Sequence, residues 1–267
     1  MYPDHLRALI DELPQSPGVY LFHGESEWPL YIGKSVQIRN RVLSHLRNPD
    51  EARLLRQTRR ISHIRTAGEI GALLLEAQLI KAQQPLTNQR LRYTRGLCAL
   101  QLDGPGVRIV STDQVNFATE PNLYGLFRGP RAAETGLKQL ADEYRLCLGL
   151  LGLERLPPGR ACFRASVNKC AGACCKQESA AEHAARLQHA LAQMALAVWP
   201  YPGAVAILEQ DADQTDYLVV RNWCYLGKAA TLEAARALDQ VAAGFDADGY
   251  KILSRPVFAG TAKVIPL

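Results

Sequence analysis

The chain lacks the features of several common protein classes. No stretch reaches the roughly eighteen consecutive apolar residues that a membrane helix needs, which excludes a helical span. The first residues, MYPDHLRALIDELP, mix charges and a proline into a short amphipathic helix and do not predict a secretion signal. Internal repeats and low-complexity tracts are also missing. We therefore expect a cytoplasmic protein that does not act at a membrane.

The seven cysteines lack the paired C-x2-C spacing of a zinc ribbon. Their odd number, in a chain expected in the cytoplasm, favours metal ligation or free thiols over a disulfide framework. Cys98 and Cys224 lie in apolar, strand-like surroundings and are predicted to be buried core. The other five crowd one segment and are Cys147, Cys162, Cys170, Cys174 and Cys175.

The spacing of this cysteine segment is compatible with more than one metal site. Cys170 and Cys174 are four residues apart, so one helical turn would point both thiolates the same way. Cys147 and Cys162 can complete a four-thiolate site from the preceding loop, LGLLGLERLPPGRA, which is too rich in Gly and Pro to form one helix. Four thiolates suit zinc or an iron–sulfur cluster, and the spacing does not decide between them.

The chain does contain enough apolar sequence for a good core, and an excess of positive charge confined to one part. Its 267 residues are 48% apolar, which suits one large or two modest domains. Residues 1–95 hold 14 basic and 9 acidic residues, a net charge of +5, whereas the remaining 17 of each kind cancel. Two consecutive helical stretches carry seven arginines: Arg39, Arg41, Arg47, Arg53, Arg56, Arg59 and Arg60. This pattern indicates a polyanionic substrate such as DNA, or else a solvated basic face.

Two strand-like runs, PGVYLF and PLYIG, flank the polar, Gly-containing stretch HGESEW, which predicts a β-hairpin. Neighbouring strands would bring Tyr20 and Tyr31 together. A tyrosine in a hairpin is ordinarily packed core, so the pair becomes informative only with its surroundings. Ser35 suits the N-cap of the helix that follows, VQIRNRVLSHL. Steps of three and four residues predict that one edge there is formed by Lys34, Ile38, Arg41 and His45.

A further helix, EIGALLLEAQLIKAQQ, is predicted to begin near Glu69 and to end before Pro85. Glu76 falls between large apolar residues on one of its faces. We therefore expect a half-buried carboxylate, which needs a proton, a cation or a metal to offset desolvation. Asn88 is a polar residue at the point where the chain turns back.

The tripeptides GVY and YIG, with Lys34, Arg41, Glu76 and Asn88 at these separations, resemble the GIY-YIG nuclease family. The segments PGVYLF, LYIGKS, LLLEAQLIK and QPLTN are similar to the amino-terminal half of UvrC-type nucleases of bacterial nucleotide excision repair. The whole chain matches a shorter homologue of that type. The resemblance implies an α+β fold, in which a small mixed sheet flanked by helices forms the nuclease domain.

The resemblance also implies metal-assisted hydrolysis of a phosphodiester. Glu76 would be the sole protein ligand of a divalent ion, Mg²⁺ or Mn²⁺. Tyr31 would act as general base for the attacking water, which requires nearby positive charge from Lys34 and the metal. Arg41 would stabilise the charge that builds on the phosphoryl oxygens.

Three further residues receive roles from the resemblance. Tyr20 would orient the nucleophilic water, and Asn88 would hold the substrate or the active-site loop. His45 stands where longer UvrC relatives typically carry a tyrosine, so its role is open between chemistry and phosphate contact.

UvrC-type proteins have a cysteine-rich region after the nuclease domain, with a similar closing pattern C-x7-C-x3-C that holds a 4Fe-4S cluster in that family. The resemblance therefore implies that the cluster ligands are Cys147, Cys162, Cys170 and Cys174, with Zn²⁺ as the alternative occupant. Cys175 would be a neighbour without a ligand role.

Beyond the cysteines, the pattern predicts a small α+β module of unknown role. We expect a helix over about 179–198, strands over GAVAILEQ and DYLVVRNWCYLG, a helix over about 232–241 and a final strand DGYKILSRPVF. The acidic stretch with Asp211, Asp213 and Asp216 lacks the Gly and the closing Glu of a calcium loop, so it predicts a hairpin turn.

The sequence thus predicts a nuclease domain over 1–95, a linker and cysteine-rich iron–sulfur segment over 96–178, and the α+β module over 179–267. No segment suits the second nuclease domain or the helix-hairpin-helix module of longer UvrC relatives, so we expect one active site and one incision. The resemblance implies damaged double-stranded DNA as substrate, a cut on the 3′ side of a lesion, and UvrB as partner of a monomer. The alternative is a non-catalytic DNA-binding or redox-sensing module, which loss of Tyr31, Arg41 or Glu76 would have favoured.

Overall fold

The computed structural model describes residues 5–85, 87–88, 96–104, 106–156, 159–238 and 244–267. The chain divides into two compact units, one of Met1–Thr94 with Pro200–Leu267 and one of Arg95–Trp199. In the described ranges, no helix combines the length and the apolarity needed to cross a membrane. The sequence predicted three functional segments, over 1–95, 96–178 and 179–267, and this division into segments stays a prediction.

The strands and helices follow one another along the whole chain. The strands are β1 (Gly18–His23), β2 (Pro29–Ser35), β3 (Arg60–Arg65), β4 (Cys98–Asp103), β5 (Gly106–Ser111), β6 (Leu123–Phe127), β7 (Val205–Asp211), β8 (Gln214–Arg221), β9 (Cys224–Ala229) and β10 (Lys263–Pro266). The helices are α1 (His5–Asp11), α2 (Ile38–Arg47), α3 (Ala52–Gln57), α4 (Glu69–Gln83), α5 (Pro130–Glu143), α6 (Phe163–Ser166), α7 (Ala180–Ala192), α8 (Leu232–Arg236) and α9 (Ala247–Phe258). Short 3-10 turns lie at Pro49–Glu51 and Ala173–Cys175.

The first three strands form an antiparallel sheet in the order β2-β1-β3. Side chains alternate across β1, so Tyr20 and Phe22 pack in the core formed with α1, α2 and α3. On the other face, Val19 and Leu21 pack with Ile80 of α4. Because helices cover both faces, every residue of β1 is buried. The predicted hairpin and the α+β class are confirmed, and β2 is the outer strand on one side of the sheet.

The carboxy-terminal residues of the first unit form a second antiparallel sheet in the order β10-β7-β8-β9. Helix α4 packs against α9 and β9. The acidic stretch is a hairpin turn, as predicted, because β7 and β8 pair as far as Asp211 and Gln214. The stretch DYLVVRNWCYLG forms two strands and not one, since the chain turns at Asn222 and Trp223 with φ of 52° and 66°.

The predicted final strand DGYKILSRPVF is wrong, because this stretch is the helix α9. The Asp246 side chain accepts a hydrogen bond from the amide of Asp248 and so caps the helix. Leu253 and Val257 are one helical turn apart and both are buried. The aromatic and β-branched residues of this stretch favour a strand by local propensity. Its packing against α4 stabilises the helix instead.

The second unit is built on an antiparallel sheet in the order β5-β4-β6, with α5 packed on it. The sequence analysis predicted strand-like surroundings for Cys98, which lies in β4, but it did not predict β5 and β6. Helix α7 begins after Ser179, as predicted, with a capping box between Ser179 and Glu182, but it ends at Ala192 and not near residue 198. Cys98 is buried in β4 as expected, whereas Cys224, in the first unit, is only partly buried.

Candidate active site and cysteine centre

The two tyrosines of the hairpin lie on one face of the first sheet. In the register of β1 and β2, Tyr20 lies opposite Gly33, and Phe22 lies opposite Tyr31. The ring centroids of Tyr20 and Tyr31 are 6.1 Å apart. Their predicted convergence is confirmed. Tyr20 is 1% exposed, so the half-buried Tyr31 is the more accessible of the two.

The two motif glycines make room for close neighbours. A Cβ atom at Gly33 would lie 2.4 Å from the hydroxyl oxygen of Tyr20 and 2.8 Å from the ring of Tyr31. A Cβ atom at Gly18 would lie 2.2 Å from the carbonyl oxygen of Ile64 in β3, and its φ of 155° is one that side chains rarely adopt. Glycine at these positions therefore lets the tyrosine rings and β3 pack closely.

His45 is enclosed by aromatic rings and is 4% exposed. Its Nε2 atom lies 2.6 Å from the hydroxyl oxygen of Tyr20, and its Nδ1 atom forms a hydrogen bond with the carboxylate of Glu51. When Nδ1 carries the proton that it donates to Glu51, Nε2 is left to accept from the Tyr20 hydroxyl. Burial lowers the pKa of His45, and the Glu51 carboxylate opposes this shift.

Glu51 is a site residue that the sequence analysis missed. It lies in the 3-10 turn after α2, where the Asn48 side chain accepts a hydrogen bond from the amide of Asp50 and donates one of 3.2 Å to Glu51 Oε1. The N-x-x-E spacing of Asn48 and Glu51 is a signature of a helix start. This signature predicts a local cap, whereas the contact with His45 depends on how α2 and the turn pack.

The predicted cationic edge after the hairpin is only partly formed. Helix α2 starts later than expected, after Gln37, so Lys34 belongs to β2 and Ser35 is not the N-cap. Ser35 Oγ instead accepts a hydrogen bond of 2.9 Å from the amide of Gln37 in the turn before the helix. Along α2, His45 faces the core and Arg41 is exposed to solvent. Arg41 and His45 nevertheless line the same cavity, and of the predicted polar groups only Lys34 lies outside the helix.

Arg41 lines an open cavity of about 620 Å³ together with Tyr31 and His45. The other lining residues are Asp50, Glu51, Arg53, Leu54, Gln57 and Thr87. A hydrogen bond with the Tyr20 hydroxyl raises the pKa of Arg41, so its guanidinium stays charged. Two guanidinium groups in one cavity next to a tyrosine can hold a phosphate group.

Glu76 of α4 reaches the backbone of the edge strand and is partly buried, as predicted. Its Oε1 atom accepts a hydrogen bond of 3.0 Å from the amide of Lys34. Among the described residues, Oε2 has no hydrogen-bond partner. Burial raises the pKa of Glu76, and the amide and charge of Lys34 oppose this shift. A half-buried carboxylate oxygen without a partner fits a hard divalent cation. The Lys34 ammonium itself pairs with Glu69 at 2.6 Å.

The electrostatics of the two tyrosine hydroxyls connect them to Arg41 and Glu76. Burial raises the pKa of both Tyr20 and Tyr31 above its ordinary value. For Tyr31, a hydrogen bond with Tyr20 and the charge of Arg41 lower the pKa, while the charge of Glu76 adds to the rise. The charges of Arg41 and Glu76 therefore shift the pKa of Tyr31 in opposite directions.

Asn88 holds the outer edge of β2. Its Oδ1 atom accepts a hydrogen bond of 2.9 Å from the amide of Ile32, and its Nδ2 atom donates one of 2.8 Å to the carbonyl oxygen of Ile32. The amide of Thr87 donates to the carbonyl oxygen of Leu30 at 3.1 Å. These contacts take the place of a further strand beside Tyr31.

The seven arginines predicted to form a basic face lie at the surface, and six of them are exposed. Arg39 is partly buried and pairs with Asp11 at 2.7 Å. Arg59 pairs with the exposed Glu25 at 3.5 Å, a contact that contributes little to stability. The face continues into the cavity beside Tyr31 through Arg41 and Arg53.

Four cysteines of the second unit converge as predicted, with all four sulfur atoms within 4.8 Å of one another: Cys147, Cys162, Cys170 and Cys174. The expected helical turn between the last two is wrong, because α6 ends at Ser166 and only the 3-10 turn Ala173–Cys175 follows. Burial raises the pKa of Cys147 and Cys170, so a bound metal must displace their protons. A largely buried set of four thiols can hold a soft metal.

Three family descriptions match successive parts of the chain. Residues 16–89 match the UvrC-like GIY-YIG domain, residues 97–193 the middle domain of UvrC/Cho excinuclease, and residues 204–267 the C-terminal domain of excinuclease Cho. Excinuclease cho of Escherichia coli (strain K12) is 57% identical over 267 residues, which are 100% of this chain and 90% of that protein. The chain belongs to the excinuclease Cho family. It is therefore an enzyme of the GIY-YIG endonuclease type, and the predicted enzyme class is confirmed.

The Cho family is related to longer proteins. UvrABC system protein C of Haloarcula marismortui is 37% identical over 153 residues, which are 55% of this chain and 26% of that protein. A solved structure of the GIY-YIG amino-terminal endonuclease domain of UvrC from Thermotoga maritima, bound to magnesium as its catalytic divalent cation, is 33% identical. That match covers 32% of this chain and 98% of the other, with a TM-score of 0.30.

Proposed function

We propose that this chain is a structure-directed DNA endonuclease of nucleotide excision repair. It makes a single incision on the 3′ side of a lesion in double-stranded DNA, in cooperation with UvrB. The observation that carries the proposal is the arrangement at the edge of β2, where Tyr31 and Arg41 line one open cavity and the carboxylate of Glu76 is held by the amide of Lys34 in the same strand. Membership of the excinuclease Cho family supports the same reaction class.

Glu76 is the protein ligand of the catalytic cation in this proposal. The carboxylate is fixed by the amide of Lys34 through Oε1 and keeps Oε2 for a metal. Carboxylate, phosphate oxygens and water suit Mg²⁺, or Mn²⁺ in its place. When bound, the cation polarises the phosphate and supplies the positive charge that favours ionisation of a nearby hydroxyl or water.

Tyr31 takes the proton of the attacking water, and Arg41 stabilises the charge that develops on the phosphoryl oxygens. The raised pKa of Tyr31 makes nearby positive charge a requirement for this role. Arg41 supplies part of that charge directly, whereas Lys34 acts mainly through its backbone contact with Glu76, since its ammonium pairs with Glu69.

Tyr20, His45 and Asn88 hold the reacting groups in place. The Tyr20 hydroxyl is buried against His45 and interacts with Tyr31, so its orienting effect on the water passes through Tyr31. Asn88 holds the backbone next to Tyr31, which supports the role of fixing the active-site strand. His45 lines the cavity and holds the Tyr20 hydroxyl through Nε2, while its Nδ1 atom is bound by Glu51, so its role is to position Tyr20.

The basic face over α2 and α3 binds the DNA backbone. Six of its seven arginines are exposed, Arg41 and Arg53 line the cavity, and each phosphate that the arginines neutralise contributes about −0.9 to the slope of log affinity against log salt. The binding step is therefore expected to weaken steeply with salt, while the residues of the cavity perform the cut.

The four-cysteine centre holds a 4Fe-4S cluster in this proposal, on the strength of the resemblance to UvrC-type proteins. A single tetrahedral Zn²⁺ is the alternative occupant. Zn–S bonds of about 2.3 Å would place the four sulfur atoms roughly 3.8 Å from one another. In the structure these atoms lie within 4.8 Å of one another, which is compatible with zinc. Anaerobically purified protein that is brown, absorbs near ~400 nm and contains iron supports the cluster. Stoichiometric zinc without iron contradicts it.

The proposal is tested with a lesion-bearing duplex whose damaged strand is labelled at its 5′ end, incubated with Mg²⁺ with and without UvrB. We expect one labelled product that still contains the lesion and that forms only when UvrB is present. Glu76→Gln should abolish this product while binding of the duplex is retained. Glu12→Gln, at an exposed position, is the matched control and should cut normally.

Each part of the proposal has its own contrary result. Normal cutting by Glu76→Gln would contradict the role of Glu76 as metal ligand. A labelled product that ends before the lesion would show that the cut lies on the 5′ side of the lesion. Equal amounts of product with and without UvrB would show that incision does not need UvrB as a partner.

A further inference from the structure

Helix α4, which carries Glu76, begins without a cap of its own. Its N-cap residue is Gly68, which has no side chain to accept a hydrogen bond from the first turn. The first four amides of a helix have no partner within the helix, and an uncapped first turn is correspondingly unstable. The amides of Ile70 and Gly71 therefore need an acceptor from elsewhere.

Glu209 supplies that acceptor from β7, in the carboxy-terminal part of the chain. Its Oε1 atom accepts from the amide of Ile70 at 2.9 Å, and its Oε2 atom accepts from the amide of Gly71 at 2.8 Å. Both oxygens of one carboxylate are thus used by consecutive amides of the first turn. A negative charge at this position also interacts favourably with the helix dipole.

The glycines at the start of α4 provide the space for this carboxylate. A Cβ atom at Gly68 would lie 2.3 Å from Oε1 of Glu209, and one at Gly71 would lie 3.0 Å from Oε2. Gly68 has an extended φ of −167°, which any residue can adopt, so its backbone does not require glycine. Glycine at residue 68 is explained by the approach of Glu209.

Further carboxylates of the same part of the chain contact both ends of α4. Before the helix, Asp216 accepts from the amide of Ala67 at 2.9 Å. At the other end, Lys81 pairs with Asp246 at 2.6 Å and with Asp248 at 3.0 Å. Glu76 lies between these two sets of contacts.

We propose that residues 200–267 position the metal-binding carboxylate, with Glu209 as the principal positioning residue through its cap on α4. This inference rests on the metal role proposed above for Glu76. Glu76 follows the capped turn by about two helical turns, so a frayed start of α4 lets its carboxylate leave the amide of Lys34. Glu209 touches neither substrate nor metal and acts only through the helix.

Removal of the cap should therefore weaken metal binding more than it slows the cut itself. In Glu209→Ala, we expect the Mg²⁺ concentration for half-maximal incision to rise about fivefold, the factor that corresponds to loss of one helix cap. The rate at saturating Mg²⁺ should stay near that of the parent. Glu233→Gln, an exposed acid of the same part of the chain, is the control and should leave both quantities unchanged.

A second-site substitution separates capping from a general effect on folding. Serine is a favoured N-cap residue, and removal of the Glu209 side chain opens the space beside residue 68. The double variant Glu209→Ala with Gly68→Ser should return the Mg²⁺ requirement towards the parent value. Gly68→Ser alone collides with Glu209 and should raise the requirement.

A readout without catalysis uses Mn²⁺ binding to the full chain, followed by loss of the electron paramagnetic resonance signal of free Mn²⁺. We expect weaker binding in Glu209→Ala, recovery in the double variant, and loss of the site in Glu76→Gln. Parent-like Mn²⁺ binding by Glu209→Ala, while Glu76→Gln loses it, would overturn this inference and leave the proposed function intact. Parent-like binding by Glu76→Gln would overturn the metal role itself. A weakened Glu209→Ala that Gly68→Ser does not rescue would also contradict the capping role.

Discussion

Replacement of Asn88 by alanine removes both hydrogen bonds between its side chain and the backbone of Ile32, at 2.9 and 2.8 Å. A typical intramolecular hydrogen bond contributes about 0.5–1.5 kcal/mol net, so the pair is worth about 1–3 kcal/mol. Ile32 is fully buried, and water cannot readily replace the lost partners there. We therefore expect Asn88→Ala to lower the free energy of unfolding by about 2–3 kcal/mol.

Asn88→Asp separates the two bonds. An ionised carboxylate still accepts from the amide of Ile32 but has no N–H group to donate to its carbonyl oxygen. The amide proton of Ile32 should therefore exchange with solvent faster in Asn88→Ala than in Asn88→Asp. Glu12→Gln, at an exposed position after α1, is the control and should leave both the stability and the exchange of Ile32 unchanged.

The effect on activity follows from the position of Ile32 beside Tyr31. When the outer edge of β2 is loosened, Tyr31 is held less well in the cavity that it shares with Arg41, and the incision rate at saturating Mg²⁺ should fall in both Asn88 variants. Urea denaturation, amide exchange and incision are measured on the same preparations. Unchanged stability and unchanged exchange of Ile32, together with lost incision, would refute this reasoning and assign Asn88 to the substrate.

Two further predictions concern the buried histidine and the cysteine centre. Burial lowers the pKa of His45, so the unfolded chain binds its proton more tightly, and the stability present above about pH 6.5 is lost as the pH falls. His45→Gln should make the urea midpoint less dependent on pH between about pH 7 and 5, and an unchanged pH dependence would show that another group is responsible. Cys170→Ala should lose the metal bound by the second unit, whereas Cys175→Ser should keep it. Equal metal content in both variants, by elemental analysis, would exclude Cys170 as a ligand.

The parts of the fold that sequence predicted are those set by local pattern. The hairpin follows from two apolar runs around a polar turn, and its register places Tyr20 and Tyr31 on one face. Helix α4 was predicted from a long, largely apolar and helix-favouring run that ends before Pro85, and the half-buried Glu76 from its place between large apolar residues on one face of that helix. In each case the sequence signal that predicts the element lies within about twenty residues along the chain.

The parts that sequence did not predict depend on distant contacts. The stretch now called α9 contains strand-favouring residues, and its packing against α4 decides its structure. Cys170 and Cys174 come together without the helical turn that their spacing suggested, because the surrounding turns bring Cys147 and Cys162 to the same place. The four cysteines that the resemblance implied as ligands converge, although the helical turn suggested by the spacing of two of them is absent.

One absence in the sequence nevertheless carried information that pattern matching did not use. The segment before EIGALLLEAQLIKAQQ offers Gly68 where a helix start usually has Ser, Thr, Asp or Asn. A long helix that carries the proposed metal ligand and has no cap of its own needs acceptors for its first amides from elsewhere. Glu209 meets this requirement, so the start of α4 and the carboxy-terminal sheet depend on one another, and the carboxy-terminal residues belong with the active site in any account of the metal.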